Sequence, residues 1–150
     1  MRFLTPRRAL PLLCVVALTG CSSASVLTLA AGSAPEAVVA TYLAAAQAGD
    51  DDTARSLVTP EHAEIGGGLI AGTAPTITEL VLEPAEARST DENSETGESL
   101  AGGHDEAVSV RTTFELSGDD DSMPDGPTTW SFLLIRDGGG PWLIASEGSA

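Results

Sequence analysis

The sequence has no lysine, only two cysteines and only six aromatic residues among its 150 positions. Its 7 basic side chains face 22 acidic ones, which gives a formal net charge of −15. Phosphate contacts need clustered Lys and Arg, so this composition excludes a nucleic-acid binder held by backbone phosphates. It also argues against docking on an anionic membrane through a basic patch. A hydrophobic content of 42% is too high for a wholly disordered chain, and the length suits one small domain.

The N-terminus has the form of a secretory signal. Three of the seven arginines, Arg2, Arg7 and Arg8, precede a short apolar stretch from Ala9 to Leu18. A basic start followed by such a stretch and by small residues is typical of signals that are removed after export. We therefore expect residues 1–20 to be a signal peptide and the rest of the chain to lie outside the cytoplasm.

The end of this segment reads Leu18-Thr19-Gly20-Cys21 and resembles the lipobox of bacterial lipoproteins. The resemblance implies that a peptidase cuts before Cys21 and that the Cys21 thiol carries a diacylglyceryl group, with acyl chains such as palmitate. Two chains, at ~0.8 kcal/mol per buried methylene, hold a protein on a bilayer where one chain binds only marginally. Residues 21–34 would then be a lipidated tether at the outer face of the cell membrane.

An uncleaved transmembrane helix is the alternative, because no charged residue occurs from Ala9 to Pro35 and a span needs ~20 apolar residues. Against it, the polar residues around Cys21 would lie near the middle of the bilayer. Both interpretations place the remaining chain outside the cell. Removal of residues 1–20 would take three arginines and no acid from the net charge of −15, leaving −18. Cys21 would then be the only cysteine, so a hydrophobic core rather than a disulfide must hold the fold.

The segment after the tether predicts three helices. Pro35–Gly49 has apolar residues at helical spacing, with Ser33 as its cap and a glycine as its stop. Asp50–Asp52 opens a second helix that runs to Val58, with its acids at the positive N-terminal end. Thr59-Pro60 is typical of an N-cap followed by proline at the first helical position. It starts a third helix that ends before a run of three glycines.

Beyond residue 75 the periodicity changes to that of strands. Alternation is clearest from Ala107 to Leu116, where every second residue is apolar or threonine. The acidic segments 89–103 and 117–127 are predicted to be mobile loops. We predict an α+β fold with N-terminal helices packed on a curved antiparallel sheet, whose strands span residues 76–83, 107–116, 128–136 and 141–146.

Two apolar patterns mark the ends of this domain: Val38-Val39-x-x-Tyr42-Leu43…Gly49-Asp50, and Trp130-x-Phe132…Gly140-x-Trp142-Leu143-Ile144. Together with the order of the elements they resemble the NTF2-like (cystatin-like α+β cone) superfamily, in particular its small lipoprotein and membrane-anchored members. The resemblance implies that residues 35–150 form one domain in which helices and sheet enclose a cone. It also implies that any pocket in the cone is lined by Tyr42, Phe114, Trp130 and Phe132.

Candidate catalytic and metal-binding residues are few. Cone enzymes similar to ketosteroid isomerase need an inward acid, but none lies on the inward faces of these strands. Tyr42 is therefore interpreted as a core residue, and no catalytic residue is assigned. His62 and His104 are interpreted as exposed polar residues without the partners of a zinc site. The segment Asp119–Gly126 departs from the EF-hand pattern and is interpreted as a solubilising loop, with a weak divalent site as the alternative. We predict no metal and no cofactor.

The leading functional hypothesis is a lipid-anchored extracytoplasmic binding or interaction module of the bacterial envelope, without catalytic activity. Its expected contacts are the membrane, through the lipid on Cys21, and an envelope protein with a basic surface, because strong negative charge attracts such partners. A carrier or sensor that holds a small apolar ligand in the cone is the first alternative. An isomerase- or hydratase-like enzyme is the second.

Overall fold

The computed structural model describes residues 32–65, 75–91, 100–117 and 125–149. The strands pair with one another antiparallel, so the predicted α+β class is confirmed. The four predicted strands are present, and a short additional strand, Glu86–Ala87, was not predicted. Among the described residues, no helix is long and apolar enough to cross a membrane. The elements are α1 (Pro35–Ala48), α2 (Asp51–Ser56), α3 (Pro60–Ile65), β1 (Thr76–Leu82), β2 (Glu86–Ala87), β3 (Glu106–Ser117), β4 (Gly126–Arg136) and β5 (Leu143–Ser149).

Local chemistry sets the ends of the first two helices. α1 begins at Pro35. The N–H groups of the first helical turn have no partner within the helix, so proline, which lacks an N–H, is favoured at this position. Its N-cap is Ala34 rather than the predicted Ser33. It ends at Gly49, which adopts the left-handed conformation with φ 66° that residues bearing a Cβ disfavour. Asp50 caps α2, and its carboxylate accepts a hydrogen bond that holds the pKa of Asp50 below its usual value.

The sheet is open and has the order β1-β3-β4-β5, with β2 paired to β3 beside β1. The β3–β4 ladder is the longest and runs without interruption from Glu106–Arg136 to Leu116–Gly126. β1 departs from regular pairing around Glu79, which has φ 55°. The sheet therefore has a continuous centre and one interrupted edge, formed by β1 and β2.

The main core lies between α1 and one face of the sheet, which we call the inner face. The Tyr42 ring meets the Phe132 ring edge-on, with centroids 6.0 Å apart and planes at 73°. Along β4, Leu133 and Ile135 alternate with inner residues such as Phe132. They therefore lie on the opposite face of the sheet, the outer face, where they pack with Ala145 in a smaller cluster. The largest fully buried side chains of the main core are Tyr42, Phe132, Leu43, Leu116, Leu134, Ile144, Val39 and Val110.

A β-bulge in β5 decides which face its last residues occupy. Leu134 pairs with Ile144, but Leu133 pairs with Ser146, so Ala145 is an extra residue on β5. Phe132 consequently pairs with Glu147. Because Phe132 lies on the inner face and paired residues share a face, the bulge turns Glu147 into the core.

Candidate functional site

Glu147 brings a carboxylate into the interior of a largely apolar core. Its side chain has no solvent exposure. The Tyr42 hydroxyl, which comes from α1, donates a hydrogen bond of 2.7 Å to Glu147 Oε1. Burying a carboxylate is costly unless donors compensate the lost water, and this hydrogen bond offsets part of that cost.

His62 is the third member of the group that we call the Glu147 cluster (Tyr42, His62 and Glu147). The residue is only 8% exposed, and its Nε2 atom lies 3.6 Å from Glu147 Oε1. This separation exceeds the ~3.2 Å limit of an N–H···O hydrogen bond. Among the residues that the structure describes, Nε2 has no hydrogen-bond partner.

The start of α3 is fastened directly to β5, which explains why His62 reaches Glu147. Val58 forms a parallel bridge with Ile144. Thr59 N–H donates to Ile144 O at 2.9 Å, and Thr59 Oγ1 accepts from His62 N–H at 3.2 Å. The predicted Thr59 N-cap is therefore present, and the same residue joins the helix to the strand.

The cluster determines the protonation behaviour of Tyr42. Burial raises the pKa of the Tyr42 hydroxyl far above its ordinary value, and the nearby Glu147 charge and its hydrogen bond add to the shift. Tyr42 is therefore a neutral hydrogen-bond donor to Glu147 at pH values at which an exposed tyrosine already ionises.

A cavity of about 680 Å³ lies beside the cluster, between α3, residues 100–104 and the β4–β5 connection. Ligand sites commonly have volumes of about 300–1,000 Å³, so it is large enough for a small molecule. Two exposed apolar side chains, Ile65 and Leu100, belong to its wall. The lining residues are Thr59, Pro60, Glu61, His62, Ile65, Leu100, Gly102, His104, Ile135, Arg136, Asp137, Pro141, Leu143, Ala145, Ser146 and Glu147.

Polar contacts hold the wall opposite α3. Asp137 accepts hydrogen bonds from Asp105 N–H at 3.0 Å and contacts His104 Nδ1 at 2.9 Å. The His104 contact, followed by the Asp105 one, holds the pKa of Asp137 below its usual value. Arg136 forms a two-point ion pair with Glu106, with distances of 2.9 and 2.6 Å. The charges of this wall are therefore paired locally.

The residues predicted to line a cone pocket all belong to the main core: Tyr42, Phe114, Trp130 and Phe132. Only Tyr42 among them belongs to the Glu147 cluster, and none of the four lines the cavity. The lipobox residues Leu18, Thr19, Gly20 and Cys21 lie outside the described residues, as do parts of both predicted acidic loops. Within the described ranges, no group of three or more His, Cys, Asp or Glu side chains is arranged to hold a metal ion.

Two residues of the cluster were missed in the sequence. The interpretation of His62 as exposed is wrong, because α3 packs against β5 and buries it. Glu147 was not assigned a role, since simple alternation from Ile144 places it on the outer face, and a bulge is not visible in the pattern. The available signal was Tyr42 itself, because a phenol on an apolar helix face requires a polar partner.

In comparisons with protein-family models, curated proteins and solved structures, nothing matches this chain.

Tyr42 is the only tyrosine in the chain, so the ultraviolet absorbance of tyrosinate reports on this one side chain. The pKa of Tyr42 in the folded protein lies above the ~10 of an unfolded tyrosine, so the hydroxyl stays protonated to higher pH in the folded state. Tyr42 therefore adds stability that is complete below pH ~10 and declines as the pH rises above it. We expect no tyrosinate signal until the native protein unfolds, and a midpoint near ~10 in urea. A native midpoint near ~10 would contradict this.

Tyr42→Phe should lower the free energy of unfolding by about 1.5–3 kcal/mol, because it removes a hydrogen bond to a buried carboxylate. Urea unfolding of the full chain in detergent measures this change. Thr41→Val is the matched control, since it removes an exposed hydroxyl from the preceding position of α1. It should change the free energy of unfolding by no more than about 0.5 kcal/mol. Equal effects of the two substitutions would argue against a stabilising role for the Tyr42–Glu147 bond.

Proposed function

We propose that this protein is a lipid-anchored binding module at the outer face of the bacterial cell membrane. The support for the anchor is the sequence, in which a basic, then apolar N-terminus ends in a lipobox-like Leu18-Thr19-Gly20-Cys21. The helices followed by an antiparallel sheet are consistent with an NTF2-like domain carried by that anchor. The strong negative charge suits a basic envelope partner.

The observation that carries the binding role is the cavity of about 680 Å³ beside the Glu147 cluster. Ligand sites combine mostly apolar walls with a few fixed polar groups. Here the apolar residues Ile65, Leu100 and Leu143 line the same space as the buried His62 and Glu147. The cavity therefore suits a small, largely apolar molecule with one polar group, and it replaces the cone interior as the proposed binding site.

The Tyr42–Glu147 pair favours a second candidate, an isomerase- or hydratase-like enzyme. A carboxylate, a neutral phenol and an imidazole are groups used in general acid–base catalysis. Tyr42 is not among the residues that line the cavity, so His62 and Glu147 would have to reach the substrate. Turnover that is lost in Glu147→Gln would favour this candidate, and ligand binding without turnover favours the binding module.

Cys21→Ser should leave an unprocessed precursor that incorporates no fatty acid, because the thiol is the site of lipid attachment in this proposal. Labelling with a fatty-acid analogue and gel mobility measure both effects in cells. Cys14→Ser is the matched control, since Cys14 lies within the predicted signal peptide and should not affect labelling or cleavage. A Cys21→Ser protein that is still cut at the same bond and labelled would refute the anchor.

Leu100→Asp should weaken binding of the fluorescent apolar probe N-phenyl-1-naphthylamine by about tenfold, because it places a charge in the wall of the cavity. Val81→Asp is the matched control. Val81 is 57% exposed and Leu100 50%, but Val81 lies on β1 and does not line the cavity. Equal binding by the two variants, or no binding by the wild type, would contradict the proposed site.

A further inference from the structure

The cavity has two exposed apolar side chains in its wall, which come from distant parts of the chain. Ile65 ends α3 and is 76% exposed, and Leu100 is 50% exposed. Because both side chains line the cavity and also meet solvent, they lie at its opening, and we call them the apolar rim. Exposed apolar surface around a cavity is a common feature of interaction sites.

Acidic side chains lie beside the apolar rim on α3. Glu61 and Glu64 are both exposed and precede Ile65 by four residues and by one. Residues three or four positions apart are neighbours on a helix surface, so Glu61 lies next to both Glu64 and Ile65. Neither carboxylate has a hydrogen bond or an ion pair within the described residues. Their negative charge is therefore open to a partner at the opening of the cavity.

The chain itself brings little positive charge to this site. After residue 31 its Lys and Arg side chains are limited to Arg55, Arg88, Arg111 and Arg136. Of these, only Arg136 lines the cavity, and it forms the two-point ion pair with Glu106. A second copy of this acidic chain or an anionic lipid surface is repelled by such a site, whereas a Lys- or Arg-bearing partner is attracted.

We propose that the cavity is the docking site for a basic segment of an envelope protein. One apolar side chain of that segment enters the cavity between Ile65 and Leu100, and the Lys or Arg side chains next to it contact Glu61 and Glu64. This inference rests on the proposed binding role of the cavity. It adds where the basic partner docks and which of its groups occupies the cavity.

The test compares four short peptides. The expected ligand has a central phenylalanine with two lysines on each side. The other three replace the phenylalanine by alanine, all lysines by glutamine, or all lysines by glutamate. Fluorescence anisotropy of the labelled peptides is measured on the full chain in phosphatidylcholine nanodiscs, with empty nanodiscs subtracted. We expect the lysine–phenylalanine peptide to bind about tenfold more tightly than the alanine and glutamine peptides, and the glutamate peptide not to bind.

Glu61→Gln combined with Glu64→Gln should weaken binding of the lysine–phenylalanine peptide by about fivefold, because each exposed ion pair contributes modestly. The matched control is Glu83→Gln combined with Glu86→Gln. It removes the same charge at the same spacing from exposed residues that do not line the cavity. At about 0.15 M salt distant charges are largely screened, so the control should bind within about twofold of the wild type.

The two histidines of the chain report on where the peptide binds. Both His62 and His104 line the cavity, the first from α3 and the second from the wall opposite. In NMR spectra of the wild type, the ring-proton signals of both histidines should shift when the lysine–phenylalanine peptide is added. The glutamate peptide should shift neither signal.

The outcomes separate the two proposals. Equal affinity of the phenylalanine and alanine peptides, or of the lysine and glutamine peptides, would overturn the docking of a basic segment. An equal loss in the two glutamine variants, or binding that leaves both histidine signals unshifted, would place the peptide elsewhere and also overturn it. If N-phenyl-1-naphthylamine binds and no peptide does, only this inference fails. If neither binds, the proposed function fails with it.

Discussion

The buried Glu147 carboxylate is the constraint on which the arrangement of the other elements depends. A carboxylate with no solvent exposure is costly unless donors replace the lost water. The Tyr42 hydroxyl meets this need only if α1 lies across the inner face with its phenol above β5. The bulge at Ala145 must in turn direct Glu147 toward α1. This 2.7 Å hydrogen bond therefore joins the first helix to the last strand within a core that also packs α1 on the sheet.

The same end of β5 also holds α3, so the core and the cavity share one support. Ile144 N–H donates to Leu57 O, and Thr59 N–H donates to Ile144 O, which extends the sheet by one short parallel bridge. These contacts position α3 so that His62 lies next to the Glu147 carboxylate and also belongs to the lining of the cavity. A change at Glu147 consequently affects the cavity both directly, since Glu147 belongs to its lining, and through His62.

Local features of the sequence predicted the elements, and long-range packing decided the site. Gly49 and the Thr59-Pro60 pair act within a few residues, and so the helix ends they predict are close to the observed ones. The burial of His62 could not be predicted in this way, because it depends on β5, some 80 residues later in the chain. Glu147 was missed since one extra residue in a strand reverses every later side chain.

Stability alone gives a poor account of the Glu147 cluster. Replacing buried ionic groups with apolar residues of similar size is often neutral or stabilising. Most of the inner face, including Phe132 and Leu134, is packed with apolar side chains. His62 adds a buried nitrogen that makes no hydrogen bond within the described structure. Burying such an atom lowers the stability of the fold. The place of this polar group at the junction of core and cavity is one reason why we propose a ligand-binding role for it.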